Sequence, residues 1–126
     1  MNTFGKFAIY MFYVPPIQVD CNQPDVKSSF AEYDTQYNYS VESFEKIKTR
    51  FFNETFEEQQ TTLKKWEAAL YSIAGAYADA HNFYFRNREY FDYCYNTSIS
   101  GYLDAKEQYV KEQTSILSDE ERRLGD

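Results

Sequence analysis

The sequence predicts an all-α protein, built as a long antiparallel helical hairpin or a small bundle behind an extended N-terminal arm rich in aromatic residues and proline. Two observations predict this class. All three prolines lie before residue 25, and neither Gly nor Pro occurs between Asp25 and Ala74. Beyond residue 40, apolar residues recur at alternating spacings of three and four, the period of a buried helix face. We therefore expect an arm over residues 1–39 and a helical domain over residues 40–126.

The arm opens with a run of eight apolar or aromatic residues at positions 7–14, which a double proline follows at once. Proline restrains its own backbone and that of its predecessor to extended geometry, so the arm is predicted to be extended as far as about residue 25. Further along, Phe30, Tyr33 and Tyr37 are spaced three and four apart, which predicts a short helix within the arm.

The helical domain is predicted to begin at Ser40, because Ser40, Glu42 and Ser43 offer capping oxygens and an early negative charge. The first apolar stripe comprises Val41, Phe44, Ile47 and Phe51. The second stripe comprises Phe52, Phe56, Gln59, Leu63, Trp66, Leu70, Ile73, Tyr77, Ala80, Tyr84, Asn87, Phe91 and Cys94. The change of phase between the two stripes predicts a kink, a stutter or a break between two helices.

The second stripe has the seam of a coiled coil, and between residues 63 and 94 it predicts one rod of about 48 Å at about 1.5 Å per residue. Gly75 lies in this rod, within the small-residue stretch SIAGAYADA. We expect a neighbouring helix to approach closely at Gly75, because small side chains let two backbones come near each other.

Two further helices are predicted after a turn at residues 95–98, where polar side chains compete with helical hydrogen bonding. An amphipathic helix begins at Ile99, and its buried stripe is predicted at Ile99, Tyr102, Leu103, Lys106, Tyr109, Val110, Gln113, Ile116 and Leu117. A short terminal helix is predicted to begin at Ser118, a capping residue that precedes three acids, and to stop at Gly125.

No pattern of catalytic, cofactor-binding or metal-binding residues stands out, so we expect a protein that is not an enzyme and that needs no cofactor. His81 is the only histidine, and the Glu-x-x-His pairs of helical di-iron proteins are absent. Cys21 and Cys94 could pair, but two cysteines do not make a disulfide framework. Cys94 falls on the apolar stripe, which predicts a buried thiol there.

The charge balance argues against nucleic acid as a partner. Twenty acids oppose 13 Lys and Arg, for a formal net charge of −7, whereas phosphate contacts need clustered bases. Residues 7–14 are too few to span a bilayer and lack the cleavage site of a signal peptide. We expect an intracellular protein, not a secreted one, with an organellar inner membrane as one setting and with residues 7–14 in contact with the membrane interface.

Aromatic residues occur on every side of the predicted helix between residues 83 and 93, so one internal core cannot take them all. Tyr and Arg dominate the energetics of protein–protein contacts. The predicted interface residues are Phe7, Tyr10, Phe12 and Tyr13 of the arm, with Phe85, Arg86, Arg88, Tyr90 and Tyr93. The alternative is that other helices of the same chain cover these side chains.

These observations together predict a non-catalytic structural or accessory subunit of a larger multiprotein assembly. A supernumerary subunit of a mitochondrial membrane complex is one concrete instance. The expected partners are other protein subunits, with a hetero-complex favoured over a homo-oligomer. Two alternatives stay open: a free-standing acidic helical binding module of the inhibitor or immunity type, and a self-assembling virion or filament protein. The arm either folds back on its own helices or clamps a neighbour.

Overall fold

The computed structural model describes residues 20–22, 24–94 and 99–125, and shows an all-α protein whose four helices pack as a small bundle. The helices are α1 (Pro24–Phe52), α2 (Phe56–Arg86), α3 (Arg88–Cys94) and α4 (Ile99–Gly125). The predicted all-α class is confirmed, and of the two predicted architectures the bundle is the one observed.

The three long helices run up, down and up. The short turn after α1 sends α2 back alongside it. Contacts between α1 and α4 advance in the same direction on both helices, since Asp34 meets Tyr102 whereas Lys48 meets Gln113. The two helices are therefore parallel to each other and antiparallel to α2. The seven-residue α3 packs at the end of the bundle where α1 begins.

The turn between α1 and α2 confirms a break between two helices at the predicted change of phase. Thr55 caps α2: its hydroxyl accepts from the Glu58 N–H, while the Glu58 carboxylate accepts from the Thr55 N–H at 2.9 Å. This reciprocal pair satisfies two N–H groups that a helix start leaves without a partner. The hydrogen bond from the backbone of Thr55 holds the pKa of Glu58 below its usual range.

Two apolar clusters fill the bundle. The central cluster is built on Trp66 and includes Tyr37, Phe44, Phe51, Leu70, Ile73, Leu117 and Leu124. The distal cluster lies beside α3 and comprises Ala80, Tyr84, Tyr90, Phe91 and Leu103. The predicted stripes on α1, α2 and α4 supply most of these side chains, so the assignment of those helix faces is confirmed.

The predicted helix start at Ser40 is wrong, because α1 already begins at Pro24. Proline suits the first helical position, where its missing N–H would have no partner in any case. From there the aromatic series at positions 30, 33 and 37 continues in phase with the stripe after residue 40, so one face is buried along the whole helix. The helix predicted at Phe30, Tyr33 and Tyr37 is thus confirmed, but it belongs to α1 and not to a separate arm, whereas residues 1–19 lie outside the described part of the chain.

Three predictions within the later helices are also wrong. The rod over residues 63–94 is interrupted at Asn87, where α2 ends. The helix start at Ser118 does not exist, because nothing breaks the helix there and α4 continues to Gly125. A Cβ atom added at Gly75 would meet nothing within 4 Å, so no described helix approaches that residue. The predicted turn at residues 95–98 lies outside the described residues.

Candidate interaction surfaces

The junction between α2 and α3 is a rigid corner that brings four predicted interface residues to one end of the bundle. Asn87 makes the corner: its backbone N–H donates to the carbonyl oxygens of Phe83 and Tyr84, and its side-chain amide donates to Phe83 at 2.9 Å. These bonds satisfy the last carbonyls of α2, which a helix end otherwise leaves to water. Phe85 and Arg86 therefore stand just before a fixed bend.

Exposed aromatic and cationic groups cover the outside of this corner. Phe85 is 61% exposed, Tyr93 is 69% exposed, and both Arg86 and Arg88 are exposed. The Arg88 guanidinium lies over the Phe85 ring, 5.5 Å from its centroid, which is a cation–π contact. Within the described residues, the structure shows neither arginine in an ion pair. We call Phe85, Arg86, Arg88 and Tyr93 the corner patch.

Tyr90 belongs to the interior and not to the corner patch. It is only 6% exposed, its ring contacts Phe91, and its hydroxyl donates to the carbonyl oxygen of Cys21 at 3.2 Å. Sequence spacing could not reveal this, because Cys21, which precedes α1 and bonds to Tyr90, is 69 residues away along the chain. Of the nine predicted interface residues, the four in the arm (Phe7, Tyr10, Phe12 and Tyr13) lie outside the described residues.

A disulfide joins Cys21 to Cys94, with their Cα atoms 5.4 Å apart. The prediction of a buried thiol at Cys94 is therefore wrong, and the question of pairing is answered. The bond ties the residues before α1 to the last residue of α3. Cys94 packs against the distal cluster, where the ring centroids of Phe30 and Phe91 are 5.1 Å apart. Arg88 and Tyr93 of the corner patch thus lie on a covalently anchored helix, whereas Phe85 and Arg86 belong to the last turn of α2.

A second surface feature was not foreseen: a groove between α1 and α2 with a volume of about 310 Å³. We call it the α1–α2 groove. The side chains that line it are mostly small and uncharged. Lys65 and Ile47 lie at one end, and the other lining residues are Tyr39, Ser40, Ser43, Ala68, Ala69 and Ser72. The sequence did carry a signal, since residues 68–78 hold no charged side chain in a chain that is 26% charged.

The groove lies on the side of the α1–α2 pair that α4 does not cover. At about 3.6 residues per turn, the side of α1 that carries Tyr39 and Ser43 is turned away from the side that carries Asp34, Glu45 and Lys48. Those three polar residues all contact α4. Within the described residues, α4 therefore leaves the groove open to another chain segment.

The polar groups of the interior form ordinary structural contacts. The Lys106 ammonium is nearly buried, 3.1 Å from the Asp34 carboxylate and 4.0 and 4.3 Å from the ring centroids of Tyr37 and Tyr102. Burial, and the nearby Asp34 carboxylate, raise the pKa of each of these two tyrosines to about 12. Both phenols therefore stay protonated at neutral pH and serve as hydrogen-bond donors.

Other tyrosines join α4 to its neighbours in the same way. Tyr77 donates to Glu107 at 2.7 Å and Tyr109 donates to Glu45. Burial raises the pKa of both phenols, and their carboxylate partners raise it further. A tyrosine held protonated against a carboxylate is a fixed donor and not a catalytic base.

The described residues offer no ready site for a metal. No group of three or more His, Cys, Asp or Glu side chains among residues 20–22, 24–94 and 99–125 could hold an ion. His81 is exposed and its ring lies 5.8 Å from that of Tyr77. None of the described helices is long and apolar enough to cross a membrane. The predicted membrane contact of residues 7–14 falls outside the described part of the chain.

Comparison of the chain with protein-family models, with curated proteins and with solved structures finds no match in any of the three. The case for a function therefore depends on the surfaces described above.

Proposed function

We propose that the protein is a non-catalytic binding subunit that docks on another protein through the corner patch. The observation that carries the proposal is the exposed Phe85–Arg88 pair on a capped and disulfide-anchored corner, with Arg86 and Tyr93 also exposed on the two helices that form it. Aromatic and arginine side chains supply most hot spots of protein interfaces, and a rigid support lowers the entropy lost on binding.

The leading form of this proposal is an accessory subunit of a multiprotein assembly, with a hetero-complex favoured over a homo-oligomer. A mitochondrial membrane complex remains one candidate setting. The disulfide supports a compartment that is oxidising, because the reduced cytosol keeps most thiols free. If the protein is intracellular, as the sequence predicts, the disulfide restricts it to an oxidising organellar compartment. The disulfide otherwise favours a location outside the cell.

A free-standing binding module is the second candidate, and the self-contained core supports it. Trp66, Phe44 and Phe51 are fully buried by this chain alone, and the disulfide closes the opposite end. A module of this kind would fold as a stable monomer and act by covering a site on its target. Its acidic surface would favour a basic target, because opposite charges steer association.

The decisive experiment is affinity purification of the tagged full chain from the cells that produce it, with quantitative mass spectrometry of the proteins that come with it. Arg88→Glu and Phe85→Ala should deplete the same partner strongly, because each removes half of the cation–π pair. Arg122→Glu is the matched control, since Arg122 is also exposed on a helix but lies on α4, away from the corner. Equal recovery of all partners by the three variants contradicts the proposal.

Light-scattering mass and circular dichroism of the purified chain then separate the two forms. A helical, soluble monomer supports the free-standing module. Aggregation or loose helicity supports a subunit that needs its assembly. A discrete multimer supports the self-assembling virion or filament protein.

A further inference from the structure

The α1–α2 groove has the chemistry of a site for an uncharged segment of polypeptide. Residues 35–41 of α1 and 68–78 of α2 contain no charged side chain. Ala68 and Ser72 line the floor and are exposed, although a solvated helix surface in an acidic protein is normally charged. Lys65 is the one charged group at the groove, and it lies at an end.

The chain itself contains a segment that matches this surface. Residues 7–14 are eight consecutive uncharged residues, and six of them have apolar or aromatic side chains larger than that of valine, with Ala8 and Val14 as the other two. Apart from Lys65 at one end of the groove, neither the groove nor the segment carries a charge, so the segment brings no ion that would need a partner there. A charged peptide would have to give up hydration at such a surface without gaining an ion pair in return.

The described structure fixes the point from which this segment starts. Cys21 is bonded to Cys94, and its carbonyl oxygen accepts from the Tyr90 hydroxyl at 3.2 Å. Immediately before α1, the Asn22 N–H donates to the Asp20 carboxylate at 2.9 Å, which forms a turn. The chain that precedes Asp20 is therefore tethered at the end of the bundle where α1 begins.

The length of the tether matches the position of the groove. The groove residues of α1 lie between positions 39 and 47, about 22 to 35 Å along the helix from Pro24, at about 1.5 Å per residue. Counted backwards from Asp20 at about 3.3 Å per residue, positions 14 to 7 lie about 20 to 43 Å away. The two intervals overlap almost completely.

We propose that the α1–α2 groove is the docking site for residues 7–14 of the same chain. This inference goes beyond the proposed function, because the groove lies on a different surface from the corner patch. The tether gives the segment an effective concentration on the order of millimolar, so even a weak intrinsic affinity keeps it docked. In this arrangement the segment serves the protein's own fold, and a partner is left to the corner patch.

Limited proteolysis of the full, disulfide-bonded chain tests this directly. Chymotrypsin cleaves after the aromatic residues of positions 7–13, and mass spectrometry follows cleavage there. Ala68→Glu places a charge in the groove and should accelerate this cleavage about tenfold, the change expected if the wild-type segment is docked about nine-tenths of the time. Ala105→Glu makes the same substitution at an exposed alanine of α4 and should leave the rate unchanged.

Two outcomes overturn the proposal. Equal cleavage rates for the wild type, Ala68→Glu and Ala105→Glu show that the groove does not hold the segment. Protection that depends on protein concentration, with a dimeric mass by light scattering, shows that a second copy is the occupant instead. Matching circular dichroism and urea midpoints for the two variants establish that both remain folded.

Discussion

The central cluster and the distal cluster are held together by different means. At the central cluster, large side chains from all three long helices enclose Trp66, whose ring centroid is 4.8 Å from that of Phe51 and 6.2 Å from that of Phe44. At the distal cluster, the seven-residue α3 and the start of α1 are joined by the Cys21–Cys94 disulfide as well as by packing. The central cluster depends on apolar burial, whereas the distal cluster depends on a covalent bond in addition to packing.

This difference follows from helix length. An isolated helix of fewer than about 12 residues is marginal in water, so α3 cannot persist by its own hydrogen bonds. Phe91 and Tyr90 anchor it, and the disulfide prevents its last residue from leaving. Long helices need no such bond, because several turns share the burial. Arg88 and Tyr93 of the corner patch therefore lie on the helix that most needs a cross-link.

The largest effect should come from breaking the central cluster. Trp66→Ala removes a fully buried indole that contacts Phe44, Phe51 and Phe52, and should lower the free energy of unfolding by about 3–5 kcal/mol. Urea unfolding followed by circular dichroism measures this. Tyr71→Ala is the matched control on the same helix, since Tyr71 is 83% exposed, and should change stability by less than about 0.5 kcal/mol.

Breaking the distal cluster should lower the free energy of unfolding by less than breaking the central cluster does, and the loss of structure should be local. Replacing both Cys21 and Cys94 with Ser should cost about 2–4 kcal/mol, because the unfolded chain loses a cross-link that spans 73 residues. Hydrogen exchange should show α3 losing protection first while the amides around Trp66 keep theirs. Uniform loss of protection over all helices would show that the two ends are one cooperative unit.

A smaller effect is expected at the polar contact between α1 and α4. Lys106→Met keeps the aliphatic stem but removes the ammonium that contacts Asp34 and the rings of Tyr37 and Tyr102. The loss should be about 1–2 kcal/mol, because the Asp34 carboxylate then lacks its cationic partner. Lys111→Met, at an exposed ion pair on the same helix, should cost well under 1 kcal/mol. Equal urea midpoints for the two variants would contradict a special role for Lys106.

The smallest expected change in stability concerns Glu67 and depends on pH. A hydrogen bond with Glu121 raises the pKa of Glu67, so folding favours the protonated carboxyl and is disfavoured by its ionised form. Glu67→Gln should therefore stabilise the protein at pH 7, by at most about 0.5 kcal/mol at this partly exposed position. The gain should shrink as the pH falls through the pKa of Glu67 in the folded protein, and it should vanish below the lower pKa of Glu67 in the unfolded chain. Paired urea titrations at pH 7 and pH 4 check this, and a gain that grows at low pH would contradict the assignment.

The sequence predicted most helix faces but few helix ends. The stripes on α1, α2 and α4 were visible because burial imposes a period of 3.6 on the apolar residues. The predicted starts at Ser40 and Ser118 were wrong, because a capping residue also fits inside a helix when tertiary contacts continue on both sides of it. Ser118 illustrates this: Leu117 and Leu124 are both buried, so the helix between them is retained.

The candidate sites also divide into features that the sequence predicted and features that only the tertiary structure forms. Phe85, Arg86, Arg88 and Tyr93 were found from the sequence because aromatic residues there exceed what one helix face can bury. Tyr90 could not be separated from them, since its cover comes from Cys21. The α1–α2 groove was missed altogether, because its two uncharged walls lie on different helices and only the tertiary structure places them side by side.

The sequence by itself determined the helical class, the buried stripes and the absence of charge between residues 68 and 78. Each of these is local, because it depends on residues within a few turns of one another. Only the tertiary structure decided the pairing of Cys21 with Cys94, the burial of Tyr90 and the open side of the α1–α2 pair. These depend on how distant helices stack around Trp66, and loop closure over tens of residues leaves no periodic trace in the sequence.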